Sequence, residues 1–325
     1  MGESTFARDA STDVLDVIVR ERVDVADGVA LFRLADVSGA PLPPWTPGAH
    51  VDLVLPGSIV RQYSLCGTPA DRSTYEIAVL REAEGRGGSR TLVDRVSAGL
   101  RLGVRGPRNH FSFESAPAYR FVAGGIGITP ILPMIAEAEA AGADWELLYG
   151  GRRLESMAMA NALVDRYGDR VLLRPQDRCG VLDLDEYLAD LPLGALIYAC
   201  GPEALLDALV KRSAVWPAGT LHLERFAAKV LDGDVIDTEF EVELARTGVT
   251  VVVPAGRSIL EVVEEAGAFV LTSCTEGTCG SCETAVLGGV PDHRDSVLDD
   301  AARVSNESMM VCVSRCSSGR LVLDL

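Results

Sequence analysis

No stretch of about 20 apolar residues occurs in this 325-residue sequence, so no transmembrane helix is expected. The amino terminus, MGESTFARDASTDV, lacks the basic-then-apolar order of an export signal, which points to the cytoplasm. Positive charge is in short supply: 30 Lys and Arg stand against 47 Asp and Glu, a net charge of −17. That balance argues against nucleic acid and anionic membranes as partners. It leaves room for a basic protein face as a docking partner. There is no internal repeat. The 16 prolines and 32 glycines are spread along the chain rather than massed into a disordered tract. Apolar and charged contents of 48% and 24% are ordinary for a globular protein, and the length allows two or three domains.

What the chain does have is a cysteine pattern. Cys274-x4-Cys279-x2-Cys282 is followed, after 29 intervening residues, by Cys312. This is the plant-type [2Fe–2S] spacing. Three ligands within nine residues demand a tight loop, and Gly277 and Gly280 supply its unusual backbone angles and let amides face sulfur. Structural zinc usually takes two Cys-x2-Cys pairs, and only Cys279 with Cys282 is present. A disulfide framework suits small secreted domains. Cys66, Cys179, Cys200 and Cys316 fall outside the pattern. Cys312, in the apolar run Met309–Val313, is a better fourth ligand than Cys316.

Three segments differ in grammar. Residues 1–115 read as short strands between turns: Val14–Arg20, Val29–Leu34, Gly48–Leu55, Arg61–Leu65 and Tyr75–Val79, with one helix at Ser89–Val96. Even spacing of that kind predicts an antiparallel β-barrel or sandwich. Residues 116–226 alternate strand and helix, which predicts an α/β domain with a parallel sheet. Its strands are expected at Arg120–Ala123, Glu146–Tyr149, Val171–Arg174, Leu196–Ala199 and Thr220–Leu223. Its helices are expected at Pro130–Ala141, Ala158–Tyr167, Leu184–Leu191 and Ala204–Ser213. Residues 227–238 read as a linker. Residues 239–325 open with a hairpin, Phe240–Leu244 and Val249–Val253, followed by a helix from Ile259 capped by Ser258 with Glu261. This last segment holds about 14 acidic against 6 basic residues, enough to steer a partner protein.

Two further signals concern organic cofactors. Arg61-Gln62-Tyr63-Ser64-Leu65 offers a cation, an aromatic wall and a hydroxyl on alternating faces of one strand, the types a flavin requires. Gly87-Gly88-Ser89-Arg90-Thr91 is a glycine turn opening a helix, an anion site. Phe121 to Pro130 (FVAGGIGITP) is strand, glycine turn, then helix with Pro130 expected at the first helical position. Gly125-x-Gly127 would admit a pyrophosphate, although Pro130 stands where a dinucleotide fingerprint has its third glycine. Tyr198-Ala199-Cys200-Gly201-Pro202 ends a second strand, and ligands of open parallel sheets lie at such ends. A two-electron hydride donor and a one-electron cluster need a flavin between them to split the pair.

These motifs, in the order RQYSL, GRGGS, VAGGIGITP, CGP, HLERF, CTEGTCGSC, MVCVSR and a terminal LVLDL, resemble the phthalate dioxygenase reductase family. Its relatives include reductases of vanillate demethylase and similar Rieske oxygenase systems. The resemblance covers nearly the full chain. It implies a flavin β-barrel domain at 1–115, an NAD(P) domain at 116–226, the linker 227–238 and an α+β plant-type ferredoxin domain at 239–325. It implies FMN on Arg61, Gln62, Tyr63, Ser64, Ala78, Val79, Leu80, Gly87, Gly88, Ser89 and Arg90, with Thr129 and Phe226 near it. The dinucleotide would lie on Gly125, Gly127, Thr129, Cys200, Gly201 and Pro202. Ser64, Cys200 and Glu224 would stand beside the reacting rings, and Cys274, Cys279, Cys282 and Cys312 would hold [2Fe–2S].

No adenine-stacking aromatic follows Ser89, which favours FMN over FAD. NADH is favoured over NADPH, although Arg152-Arg153 follows a strand close to where a 2′-phosphate could lie. The expected activity is electron transfer from NADH through FMN to [2Fe–2S] and on to a separate oxygenase, a Rieske enzyme first and a cytochrome P450 second, by a monomeric reductase. The rivals are a non-catalytic iron–sulfur carrier, against which the intact glycine turns speak, and a redox sensor, which would turn over slowly.

Overall fold

The computed structural model describes residues 14–55, 59–84, 87–228 and 237–325. The chain divides into two compact units, Met1–Leu223 and Glu224–Leu325. Among the described residues, no helix is long and apolar enough to cross a membrane.

The first unit begins with strands β1 (Leu15–Ala26), β2 (Val29–Asp36), β3 (His50–Leu55), β4 (Ile59–Ser64) and β5 (Tyr75–Leu80), then helix α1 (Gly88–Arg95) and strand β6 (Arg101–Arg108). The six strands form one antiparallel sheet in the order β4-β3-β6-β1-β2-β5. A bridge between Leu65 and Ile77 joins its two ends and closes the barrel. Alternating residues such as Val17, Phe32, Leu34, Leu53, Ile77 and Val104 are fully buried inside, as a period of two requires. Strand β6 has no counterpart among the five strands expected from sequence, yet it sits at the centre of the sheet. Gly103, Gly106 and Pro107 disguise it, because glycine and proline are depleted in strands. Gly103 is required there: a Cβ would lie 2.7 Å from Val14 Cγ1 and 3.2 Å from Val54 Cβ.

The same unit continues with β7 (Ala118–Gly124), α2 (Ile128–Ala140), β8 (Asp144–Gly151), α3 (Ala160–Tyr167), β9 (Val171–Pro175), α4 (Gln176–Cys179), α5 (Leu184–Tyr187), β10 (Leu196–Cys200), α6 (Glu203–Ser213) and β11 (Leu221–Glu224). The sheet order is β11-β10-β7-β8-β9, with β7, β8, β9 and β10 paired in parallel. Helix α2 begins two residues earlier than expected. Pro130 is therefore its third residue, still in the turn whose N–H groups have no partner within the helix. Helix α5 is one turn long, not the two expected. Barrel and parallel sheet share a core in which Val29, Leu31 and Ala78 pack with Phe121, Ile131 and Met134. The connector adds aromatic contacts. Phe113 and Tyr119 have ring centroids 4.6 Å apart, and Phe111 and Tyr198 5.5 Å apart.

The second unit contains β12 (Phe240–Leu244), β13 (Val249–Val253), α7 (Ile259–Glu265), β14 (Glu283–Gly288), β15 (Pro291–Asp292), α8 (Asp300–Ser305), β16 (Ser308–Met310), β17 (Arg315–Cys316) and β18 (Arg320–Leu323). Five strands form a mixed sheet, β13-β12-β18-β14-β16, in which β12 and β18 run parallel. The hairpin β12–β13 and the Ser258–Glu261 capping box of α7 both form as the sequence implies. Helix α7 buries Ile259, Leu260, Val262 and Val263. Most of the linker expected at 227–238 lies outside the described residues. At its far end Asp237 is anchored by Arg294 at 2.7 Å and Arg315 at 3.5 Å.

Candidate functional site: two glycine turns, a barrel strand and a cysteine loop

On the barrel, β4 carries Arg61, Gln62, Tyr63 and Ser64. Tyr63 stands opposite Val51 in the β3–β4 register and packs against the barrel core. Burial pushes its phenol above the ordinary range, so it stays neutral. Gln62 and Ser64 face the other side, opposite Asp52 and His50. Ser64, Asp52 and His50 are all buried. Behind this polar face Asp52 Oδ1 lies 2.7 Å from Arg108 Nη2. The angle makes no hydrogen bond, so charge alone holds the pair.

The start of α1 is brought onto the same strand. A Cβ on Gly88 would lie 2.4 Å from Arg61 Cγ, so only glycine lets the helix N-terminus approach the Arg61 side chain this closely. Gly87 caps the helix with φ 84, a left-handed angle suited to glycine. The Ser89 hydroxyl accepts the Glu82 N–H at 3.2 Å, tying the loop after β5 to α1. Ala78 and Val79 on β5 are buried and Leu80 half-buried. An open depression beside α1 is lined by Arg81, Gly87, Arg90, Thr91, Asp94 and Arg95. Arg81 is paired to Asp94 at 2.8 Å and holds that carboxyl below its usual range. Sequence reasoning missed Arg81 and Arg95, which belong to no local motif.

The parallel sheet supplies the second half. Its order makes the chain run outward through β8 and β9 and then return to the other side of β7 as β10. The crevice between β7 and β10 is therefore the topological switch point, where open α/β sheets hold ligands. Both predicted glycine turns end there, and they touch. A Cβ on Gly127 would lie 2.2 Å from the Cys200 carbonyl oxygen and 2.7 Å from Gly201 N. A Cβ on Gly201 would lie 3.0 Å from Gly124 Cα. Gly125 adopts φ 56 with open space above it. Tyr149 Oη lies 3.2 Å from the Gly125 carbonyl, steadying the turn. Thr129 is buried and donates to the Ile126 carbonyl at 3.0 Å. Cys200 is fully buried and Pro202 exposed. Glu224 ends β11, and Phe226, 47% exposed, follows; both fall past the boundary of the first unit.

In the second unit the four predicted ligands Cys274, Cys279, Cys282 and Cys312 are all at most 7% exposed. Gly277 and Gly280 both adopt φ 71, and backbone amides face sulfur as the sequence implies. The N–H groups of Glu276 and Thr278 donate to Cys274 Sγ at 3.3 and 3.4 Å, and that of Ser281 to Cys279 Sγ at 3.3 Å. A hydrogen bond with Cys274, together with burial, holds the Cys279 thiol above its ordinary range. At Cys312 a bond with Cys274 lowers the thiol, but the bond with Cys282 and burial outweigh it and push it up to about 12. Four thiols so close that they share protons cannot ionise together unless a cation replaces those protons. The donor set therefore fits iron. Cys316 is turned elsewhere, its Sγ 3.5 Å from Ser318 Oγ.

An antiparallel barrel, a parallel nucleotide-type sheet and an α+β cysteine-loop domain on one chain define the class of iron–sulfur flavin-type reductases. A family profile described as the 2Fe-2S iron–sulfur cluster binding domain matches residues 242–317. The phenoxybenzoate dioxygenase subunit beta of Ectopseudomonas oleovorans is 44% identical over 302 residues, 92% of this chain and 94% of that one. The phthalate dioxygenase reductase of Burkholderia cepacia is 39% identical over 312 residues, 94% of this chain and 96% of that one. A solved phthalate dioxygenase reductase, which carries electrons from pyridine nucleotides to [2Fe–2S], superposes with a TM-score of 0.70 over 96% of this chain and 98% of that one. An intact type IV self-sufficient cytochrome P450 monooxygenase superposes with a TM-score of 0.91 at 41% identity; the match covers 99% of this chain and 43% of that protein. The chain belongs to the phthalate dioxygenase reductase family and is an oxidoreductase.

Proposed function

We propose that this chain is the reductase component of an oxygenase system. It takes electrons from NADH, moves them by way of FMN to [2Fe–2S], and delivers them singly to a separate Rieske-type aromatic oxygenase or demethylase. The observation that carries this reading is the backbone contact of Gly127 with Cys200 and Gly201 at the switch point, in a chain that also holds four clustered thiols. FMN supplies the chemistry neither neighbour has, since it accepts an electron pair and returns single electrons. Arg61, Arg90 and the α1 N-terminus hold its phosphate; Gln62 and Ser64 face its polar edge. Gly125, Gly127, Gly201 and Pro202 admit the dinucleotide pyrophosphate, with Thr129 at the head of α2 and Cys200 beside the nicotinamide. The protein orients the rings and excludes water rather than moving a proton. Cys274, Cys279, Cys282 and Cys312 hold the cluster.

NADH is favoured because Arg153 is already matched by Asp27 at 3.2 Å and Arg178 by Glu155 at 3.5 Å. The proposed layout is a flavin domain at 1–115, a nucleotide domain at 116–226, a linker at 227–238 and a ferredoxin domain at 239–325, in a cytoplasmic monomer. A second reading, a reductase for a cytochrome P450, is favoured by the superposition on the P450 chain. The test is Cys282→Ser. It should spare NADH-dependent ferricyanide reduction and abolish cytochrome c reduction; equal loss of both would overturn the electron order. Extraction of the flavin, with iron and sulfide assays, separates FMN from FAD on the same sample.

A further inference from the structure

Two ion pairs stand at the carboxyl ends of β8 and β9, and neither belongs to the electron path. The two ends lie side by side: Gly151 pairs with Pro175, and the Asp177 N–H donates to the Arg152 carbonyl at 3.2 Å. The loop after β8 carries Arg152, Arg153 and Glu155, and α4, which follows β9, carries Asp177 and Arg178. Arg153 Nη2 lies 3.2 Å from Asp27 Oδ2, and Arg178 Nη2 lies 3.5 Å from Glu155 Oε1. Asp27 comes from the β1–β2 turn of the barrel, 126 positions away in the chain. Its backbone N–H donates to the Glu155 carbonyl at 2.8 Å, so main chain ties the turn down and leaves the carboxylate to meet Arg153. All four side chains are more than half exposed. Pairs open to water in this way add little to stability.

The same loop sits beside the glycine turn read as the pyrophosphate site. Gly150 pairs with Gly124, the residue before that turn. One hydroxyl, Tyr149 Oη, lies 3.2 Å from the Gly125 carbonyl and 3.2 Å from the Ala158 carbonyl, so turn and loop flank a single atom. On the β10 side the backbone of Cys200 stands against Gly127. A dinucleotide with its nicotinamide beside Cys200 must lay its adenosine the other way, over β8 and β9. Neighbouring strands are about 4.8 Å apart, which brings the ends of these two beneath the adenine ribose. In folds of this type a carboxylate or an arginine at the ribose 2′ position decides between NAD and NADP. Here both kinds are present and already joined.

Resting on the reading that the crevice between β7 and β10 holds a pyridine dinucleotide, we propose that Asp27 and Glu155 are specificity residues that exclude NADPH by occupying Arg153 and Arg178, the two cations able to hold a 2′-phosphate. Such a phosphate carries roughly −1.5 to −2 at neutral pH. With both carboxylates in place it meets two positive and two negative charges, and no net attraction. Arg152 and Asp177 add one charge of each sign and leave that balance unchanged. With Asp27 and Glu155 neutralised, two guanidiniums are released, and each takes phosphate oxygens in a planar fork. NADH presents only a hydroxyl at this position and is indifferent to the change. Nucleotide choice is thus set in part from the barrel, by a residue outside the nucleotide domain.

The experiment is calorimetric titration of the full-length holoprotein with ADP-ribose and with 2′-phospho-ADP-ribose, in wild type and in Asp27→Asn/Glu155→Gln. These fragments carry the adenosine end without a hydride, so binding is read apart from turnover. Wild type should bind ADP-ribose at least as tightly as its 2′-phosphorylated form. The double variant should bind the 2′-phosphorylated form on the order of ten- to a hundredfold more tightly than wild type does, the range of hydrogen bonds to charged groups, with ADP-ribose unchanged. Its kcat/KM for NADPH should rise in step while that for NADH holds, and adding Arg153→Ala should remove the gain. The proposal is overturned if the double variant gains nothing for the 2′-phosphorylated form, if ADP-ribose tightens equally, or if wild type already prefers the 2′-phosphate. If neither fragment binds either protein, the dinucleotide reading of the crevice falls as well, so the two failures are distinguishable.

Discussion

Gly127→Ala tests the contact on which the nucleotide crevice is built. Gly127 has φ −61 and ψ −5, ordinary helical angles. Backbone strain is therefore not at issue, and alanine would by propensity be slightly favourable there. The added Cβ, however, would sit 2.2 Å from the Cys200 oxygen and 2.4 Å from its carbon, where contact becomes ordinary only at 3.4 Å. The obstructing atoms are backbone at the end of a buried strand, so β7 and β10 must part by roughly 1 Å. A misplacement of about 1 Å in a reacting pair costs on the order of 100-fold in rate, and overpacking costs about 1–3 kcal/mol in stability. NADH–ferricyanide kinetics should thus show kcat/KM down by on the order of 100-fold, and thermal unfolding a Tm lowered by roughly 2–12 °C. Gly125→Ala is the control. Its φ is 56 but nothing lies within 4 Å of the new Cβ, so it should cost only the left-handed backbone term, about 1–2 kcal/mol, with a much smaller kinetic effect. If Gly127→Ala left both kcat/KM and Tm unchanged, the steric argument for the crevice would be wrong.

Two stability predictions concern ion pairs of the first unit. Asp52→Asn leaves the Arg108 guanidinium, 12% exposed, without its buried counter-ion; the expected loss is about 3–5 kcal/mol by denaturant titration, and a double replacement with apolar residues should recover part of it. Glu139 is gripped by Arg170 at 2.6 and 3.0 Å and by the Trp145 indole at 2.9 Å. Those hydrogen bonds, Arg170 first, hold its carboxyl down at about 2 against an ordinary 4.5. A lowered folded-state value means the contribution is fully present above 4.5 and is lost as pH falls through 2. Between those limits Glu139→Gln should lose less Tm with acidification than wild type, and equal slopes would show that the pair does not contribute.

The parts of this protein that were legible in its sequence are those whose chemistry is local. Three of the four predicted cysteine ligands lie within nine residues, so the loop they form is written in consecutive letters. The same holds for the Gly87–Gly88 turn that opens α1, and for the Ser258–Glu261 cap, whose hydrogen bonds reach only three residues along the chain. Strand β6 was hidden in part because its Gly103 answers a crowding by Val14 and Val54, residues about 50 to 90 positions away.

What the chain could not state by itself is which distant residues meet. Gly127 is glycine because the carbonyl of Cys200 stands against it, a contact made only when β10 returns beside β7. Gly277 and Asp295 are brought together by a turn of the second unit that no spacing announces. The physical reason is range. Turn angles, caps and ligand spacings are fixed by atoms a few bonds apart, whereas close backbone approaches and buried charge pairs exist only after strands far apart in the chain have been packed side by side.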